Sequence, residues 1–86
     1  MAEKADTSRI QAVKNKYEKR LLRKKNVVGV GVGLRQRAGE LTDEVVLTVM
    51  VRQKQPATNL RPRDRIPAEL DGVPVDVQEV GTIKAL

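Results

Sequence analysis

Four residue types are missing from this chain altogether: cysteine, histidine, phenylalanine and tryptophan. Without cysteine there is no disulfide to staple a small fold and no thiolate nucleophile. Without histidine the usual zinc ligand and general base is gone, and with it serine–histidine and cysteine–histidine catalysis. Carboxylates and lysines remain, but catalytic use would need a pocket that a thin core hardly supports. The expectation is a chain that is not an enzyme, with no catalytic residue, cofactor-binding residue, metal ligand or small-molecule substrate. Tyr17 is the one aromatic side chain. The core must therefore be built from Val, Leu, Ile and Met, which bury less area apiece than aromatic rings.

Long apolar runs are missing too. None approaches the roughly 18–20 residues that span a bilayer, and the polar opening MAEKADTSRI lacks the apolar stretch of a secretory signal. No membrane partner is expected, and a cytoplasmic location is the default. The 86 residues read as one small domain, 1–86. A chain of this length buries only about 60–65% of the surface its unfolded form exposes. Small folds without disulfides or metals commonly gain support from oligomerisation or from attachment to a larger chain.

What the chain does carry is concentrated positive charge. Lys14, Lys16, Lys19, Arg20, Arg23, Lys24 and Lys25 stand against Glu18 alone in residues 14–25, so the whole net charge of +6 falls in that segment. A second basic stretch holds Arg52, Lys54, Arg61, Arg63 and Arg65 against Asp64. Acids collect at Glu40, Asp43 and Glu44, and again at Glu69, Asp71, Asp76 and Glu79. Such separation suits binding of a polyanion, and equally of a second copy head to tail.

Asp6, Thr7 and Ser8 offer N-cap oxygens before Ile10, Val13, Tyr17 and Leu21, whose spacings of 3, 4 and 4 put them on one helix face. Ala12 and Leu22 broaden that face, Lys24 and Lys25 complement the negative helix end, and Asn26 supplies a stop. The pattern predicts a helix over 7–24. In NVVGVGVGLRQ, Val28, Val30, Val32 and Leu34 then alternate with Gly29, Gly31 and Gly33. A phosphate-binding loop needs GxxxxGK[ST], and a dinucleotide fingerprint needs GxGxxG between a strand and a following helix. Here the spacing is GxGxG, no GK[ST] follows, and the helix comes first. The stretch is read as a strand over 27–35 with one bare face.

Glycine weakens a strand, so a bare face implies that something comes close. The Ile10–Leu21 face of the helix is the favoured candidate, with another subunit as the alternative. After a turn at Ala38-Gly39-Glu40, the run EVVLTVMVR is apolar on both faces and predicts a central strand over 44–53. QPATNLRPRD reads as a loop. Asp71-Gly72 signals a tight turn before a strand over 73–80, which Pro74 marks for a sheet edge or an irregular start. The tail TIKAL could extend a strand or hang free. The fold class is α+β: one N-terminal basic amphipathic helix on a small, mainly antiparallel sheet of three to four strands.

The succession of NVVGVGVG, an apolar strand ending in VMVRQKQP, RIPAELDGVPVDVQEVG and IKAL resembles a module at the N-terminus of some bacterial trypsin-like serine peptidases and related uncharacterised proteins. The resemblance spans about residues 20–86. In that family the catalytic residues lie in a downstream protease domain, and none has a counterpart here. The resemblance implies an accessory or interaction domain.

Three functions follow as expectations. The first is a protein-interaction or self-assembly module, a homo-oligomer or a dock for another protein, with Gly29, Gly31, Gly33, Val46, Thr48 and Met50 as its surface. The second is phosphate-driven, non-specific nucleic-acid binding through Lys14, Lys16, Lys19, Arg20, Arg23, Lys24 and Lys25. Tyr17 sits on the core face, so stacking on aromatics is not expected. The third, implied by the resemblance alone, is a peptidase-associated inhibitor or propeptide-like domain using the 53–65 loop.

Overall fold

A computed structural model describes residues 7–81. The elements run α1 (Thr7–Leu22), β1 (Val27–Arg37), β2 (Glu40–Val51), β3 (Glu69–Leu70) and β4 (Val73–Glu79). Between β2 and β3 lie two 3-10 turns, Ala57–Asn59 and Pro62–Asp64. One helix thus packs on a four-stranded sheet of order β1-β2-β4-β3, an α+β fold. Its outer pairs, β1–β2 and β3–β4, are antiparallel, whereas β2 and β4 run parallel. The expected N-cap Asp6 and the tail at 82–86 lie outside the described residues.

The helix forms where the apolar spacing predicts it and stops two residues early. Ile10, Val13 and Leu21 are buried in the core, and Tyr17 packs against it. Ala12 and Leu22 do not broaden that face; both are exposed. After Leu22, a turn bond from the Lys24 N–H to the Leu21 carbonyl leads to Asn26, whose φ of 79° reverses the chain. Asparagine tolerates this left-handed backbone better than most residues.

Both hairpins close through two-residue turns, Asp71-Gly72 with a favoured pair and Ala38-Gly39 with alanine in a region it disfavours. Ala38-Gly39 and Asp71-Gly72 have positive φ at both central residues, the geometry that matches strand twist in two-residue loops. The first turn lets β2 begin at Glu40 instead of 44. The second creates β3, a two-residue strand that the sequence reading missed, although a two-residue turn needs a strand on each side. β4 consequently lies inside the sheet and not at its edge. Pro74 pairs with Glu69 of β3 and stands one residue before the first parallel pair with β2, Leu47–Val75.

β2 is central, as its two apolar faces require. Leu47, Val49 and Val51 face the helix together with Val73 and Val75 of β4, and Val30 and Val32 of β1 pack against them. The helix therefore covers the valine face, correcting the expectation that it would approach the glycines. Apolar side chains on the helix gain nothing from a face that has none to offer. The valine row also shifts by one residue: a bulge between Val27 and Gly29 turns Val27 toward the core and leaves Val28 exposed.

The glycine face is covered by its own sheet. Gly29 pairs with Met50, Gly31 with Thr48 and Gly33 with Val46. A Cβ on Gly29 would come within 2.9 Å of Met50 Cε, and one on Gly33 within 3.2 Å of Thr48 Cγ2. From β4, Gln78 Nε2 donates to the Leu34 carbonyl and Asp76 Oδ2 accepts from the Gln36 N–H, both at 2.8 Å. These two side chains reach past β2 and satisfy backbone groups of the second β1 bulge, between Leu34 and Gln36. Thr42 Oγ1 completes the repair by donating to the Arg35 carbonyl at 3.0 Å. The missing side chains leave room for that reach. Of the residues expected to form an assembly surface, Val46 and Thr48 are buried and Met50 is half-buried, as are Gly29, Gly31 and Gly33.

None of these three glycines takes left-handed backbone, so their substitution tests space alone. A Cβ on Gly31 meets nothing closer than 3.6 Å. Gly31→Ala is expected to stabilise the protein by about 0.5 kcal/mol through the unfolded chain. Gly33→Val, pressed against the stiff, buried Thr48, is expected to cost about 1–3 kcal/mol. Thermal unfolding of the two variants beside the wild type measures both signs.

Candidate functional site

The seven helix cations expected to bind a polyanion divide into two groups. Lys14 pairs with Glu18 at 3.3 Å, and Lys16 with Asp71 at 2.9 Å. Lys19 is exposed and is not among the residues lining the cleft at the helix end. Arg20, Arg23, Lys24 and Lys25, the last turn and its exit, line one wall of a cleft of about 820 Å³. The opposite wall comes from the second basic stretch: Asn59, Leu60, Arg61, Arg63 and Asp64. Six cationic side chains thus face one concavity, with one carboxylate among them. The sequence reading flagged Arg61 and Arg63 as a separate patch; it had no way to join them to the helix.

The second wall is a strap, strapped down by residues nearly forty positions away. Pro62 opens a 3-10 turn, pre-set by its fixed φ, and the Asp64 N–H closes back on the Arg61 carbonyl at 2.8 Å. Asp64 Oδ1 then accepts the Lys25 N–H at 3.0 Å, and the Lys24 ammonium donates to the Arg63 carbonyl. The one acid in the cleft is therefore a structural tie. Lys24 spends a donor on the strap and is half-buried, whereas Arg20, Arg23, Arg61 and Arg63 stay exposed. At the base of the strap, the Asn26 side chain exchanges hydrogen bonds with the Gln53 backbone, and the Lys54 N–H donates to Glu79 Oε1.

A second space of about 410 Å³ adjoins the cleft, sharing Lys25, Leu60 and Asp64 with it. Its lining mixes Val51, Leu60, Ile66 and Val77 with the cations Lys25, Lys54 and Arg65, the acids Asp64 and Asp76, and the amides Asn26 and Gln55.

At the other end of the helix Asp71 is a structural anchor. Lys16 Nζ donates to Oδ2 and Tyr17 Oη to Oδ1, while Arg9 donates to the Asp71 carbonyl, each at 2.9 Å. These bonds clamp α1 onto the β3–β4 turn. The hydrogen bond from Lys16, followed by that from Tyr17, holds the Asp71 carboxyl below the usual carboxylate range, and the same bond raises Lys16 above the usual lysine range. Both groups are exposed, so the effect on stability is modest. A depressed carboxyl stabilises above its unfolded-state value, roughly 3.9, and the gain is lost as pH falls through the folded value. A raised lysine stabilises below its unfolded-state value, roughly 10.4, and loses that gain as pH rises through the folded one. Asp71→Asn, which keeps the left-handed turn accessible, is expected to melt below the wild type at neutral pH. The gap should close toward about pH 2 and narrow again above roughly pH 11. Melting curves across pH measure it.

Among the described residues there is no group of three or more metal-ligating side chains, and no helix long and apolar enough to cross a membrane. Neither a protein-family model nor a curated protein matches this chain. What the cleft can do follows from its own charges. Six cations lining one cleft repel each other, and a multivalent anion lying between them relieves that repulsion while releasing its own counterions.

Proposed function

We propose that this chain is a nucleic-acid-binding module that grips the phosphate backbone in the cleft between the end of α1 and the 59–64 strap. The observation that carries the reading is the convergence of Arg20, Arg23, Lys24 and Lys25 with Arg61 and Arg63 on one concavity. Two basic segments that are separate in the sequence act as one site, and arginine forks match phosphate oxygens two at a time. Cations dominate the lining, so affinity is mainly electrostatic and largely indifferent to sequence. The test is fluorescence anisotropy of a labelled oligonucleotide at increasing salt. Tight binding at low salt that weakens along a straight line in log K against log[salt] supports the reading. No binding at low salt, or binding that salt leaves unchanged, overturns it.

Self-association is a second reading, and the edge of β1 favours it. Among the described residues no strand pairs with the outer side of this 11-residue strand, and Val28 and Leu34 on it are exposed. An open edge is a template for another strand, and pairing with a second copy needs no open sheet face. Light scattering after size exclusion in high salt is the check. A dimer that persists there and is lost in Val28→Lys supports edge pairing; a monomer at every concentration removes it.

A further inference from the structure

We infer that the cleft takes its nucleic acid as a single strand, with one unpaired base seated in the adjoining, partly apolar pocket. The inference rests on the phosphate-binding reading and adds the state of the ligand. The two spaces share Lys25, Leu60 and Asp64 in their walls, so a chain lying along the cations runs beside the pocket. Val51, Leu60, Ile66 and Val77 supply the apolar part of a mixed wall that also carries Asn26, Gln55, Asp64 and Asp76, and its 410 Å³ lies within the usual range for a space that holds a small molecular group. A backbone fully occupied by phosphate contacts has no use for an apolar recess beside it. A nucleobase does, because its faces are poorly hydrated while its sugar and phosphate remain with the cations.

A duplex cannot make the same use of this surface. Its bases are stacked inside, and its wide phosphate ridges fit a protruding helix better than a recess between a helix end and a strap. An unpaired strand is narrow enough to enter and has bases free to turn aside. With no aromatic residue in either space, the base packs on aliphatic side chains instead of stacking. Its contribution is therefore smaller than that of a stacked base, and any of the four bases can make it.

The experiment compares three ligands on the wild-type protein by anisotropy at fixed low salt: a thymidine homopolymer of about twelve nucleotides, an abasic phosphodiester of equal length, and a duplex of equal length. The thymidine strand is expected to bind about tenfold tighter than the abasic one, and tighter than the duplex. In Ile66→Gln, a change in the lining of the second space and not of the cleft, that preference should fall toward parity, with abasic binding unchanged. Abasic and thymidine strands of equal affinity, or a duplex bound as tightly as the single strand, overturn this inference and leave phosphate binding standing. If none of the three binds, the phosphate reading fails with it.

Discussion

Changing Arg20, Arg23, Arg61 and Arg63 together to glutamine is expected to weaken binding of a single-stranded oligonucleotide by about 100-fold at low salt. The four are exposed and line opposite walls of one cleft, so each is free to meet a phosphate. Every contact on a single strand adds about 0.7 to the slope of log K against log[salt]. Removing four should flatten that slope by about 3, a second readout independent of affinity. Because the site depends on place and not on total charge, a control pair separates the two. Lys14→Gln with Arg37→Gln removes charge from a residue paired with Glu18 and from the β1–β2 hairpin, and should change affinity less than about threefold. The quadruple variant should melt within a few degrees of the wild type, since exposed side chains away from caps and core contribute little to folding. An equal loss from the control pair would move the site off the cleft and onto net charge.

Leu47→Ala is expected to remove about 2–5 kcal/mol of stability. Leu47 is fully buried at the centre of β2, beneath the helix, with Val32 and Val75 beside it on neighbouring strands. Truncation leaves a cavity bounded on every side by residues whose positions are set by the sheet ladder, so collapse around it is limited. A domain of this size holds only about 4–13 kcal/mol in total, at the usual 0.05–0.15 kcal/mol per residue. The loss should therefore lower the melting temperature by more than about 10 °C. Leu41→Ala provides the contrast: its side chain is 62% exposed, and its removal should fall within about 0.5 kcal/mol of the wild type. Urea unfolding of the three proteins, with an unchanged m-value, measures the difference. A Leu47→Ala protein as stable as the wild type would mean that the helix is not seated on this face.

The two predictions act on different parts of the chain, and that separation is useful. The core lies between α1 and the valine face of the sheet, while the cleft lies where the helix ends and the strap crosses it. Loss of binding without loss of stability, and the reverse, can therefore be obtained in separate proteins.

The elements themselves were legible from the sequence because they are local. The 3-4-4 spacing of Ile10, Val13, Tyr17 and Leu21 specifies a helix, two-residue alternation specifies β1 and β4, the doubly apolar run specifies β2, and Gly39 and Asp71-Gly72 mark the turns. The concentration of cations at 14–25 and 52–65 was equally plain. What only the tertiary structure decided is how these pieces face one another. The helix took the valine side because apolar burial, not open space, draws it there. The glycines serve Met50, Thr48 and the reach of Asp76 and Gln78, partners on other strands that alternation cannot name. Val46 and Thr48, which alternation alone leaves as a possible outer surface, are buried by that same closure. The basic cleft exists because Asp64 and the Arg63 carbonyl bond to residues 24 and 25, nearly forty positions earlier. Periodicity reports only the face a residue shares with its near neighbours; which two faces meet depends on contacts between segments far apart in the chain.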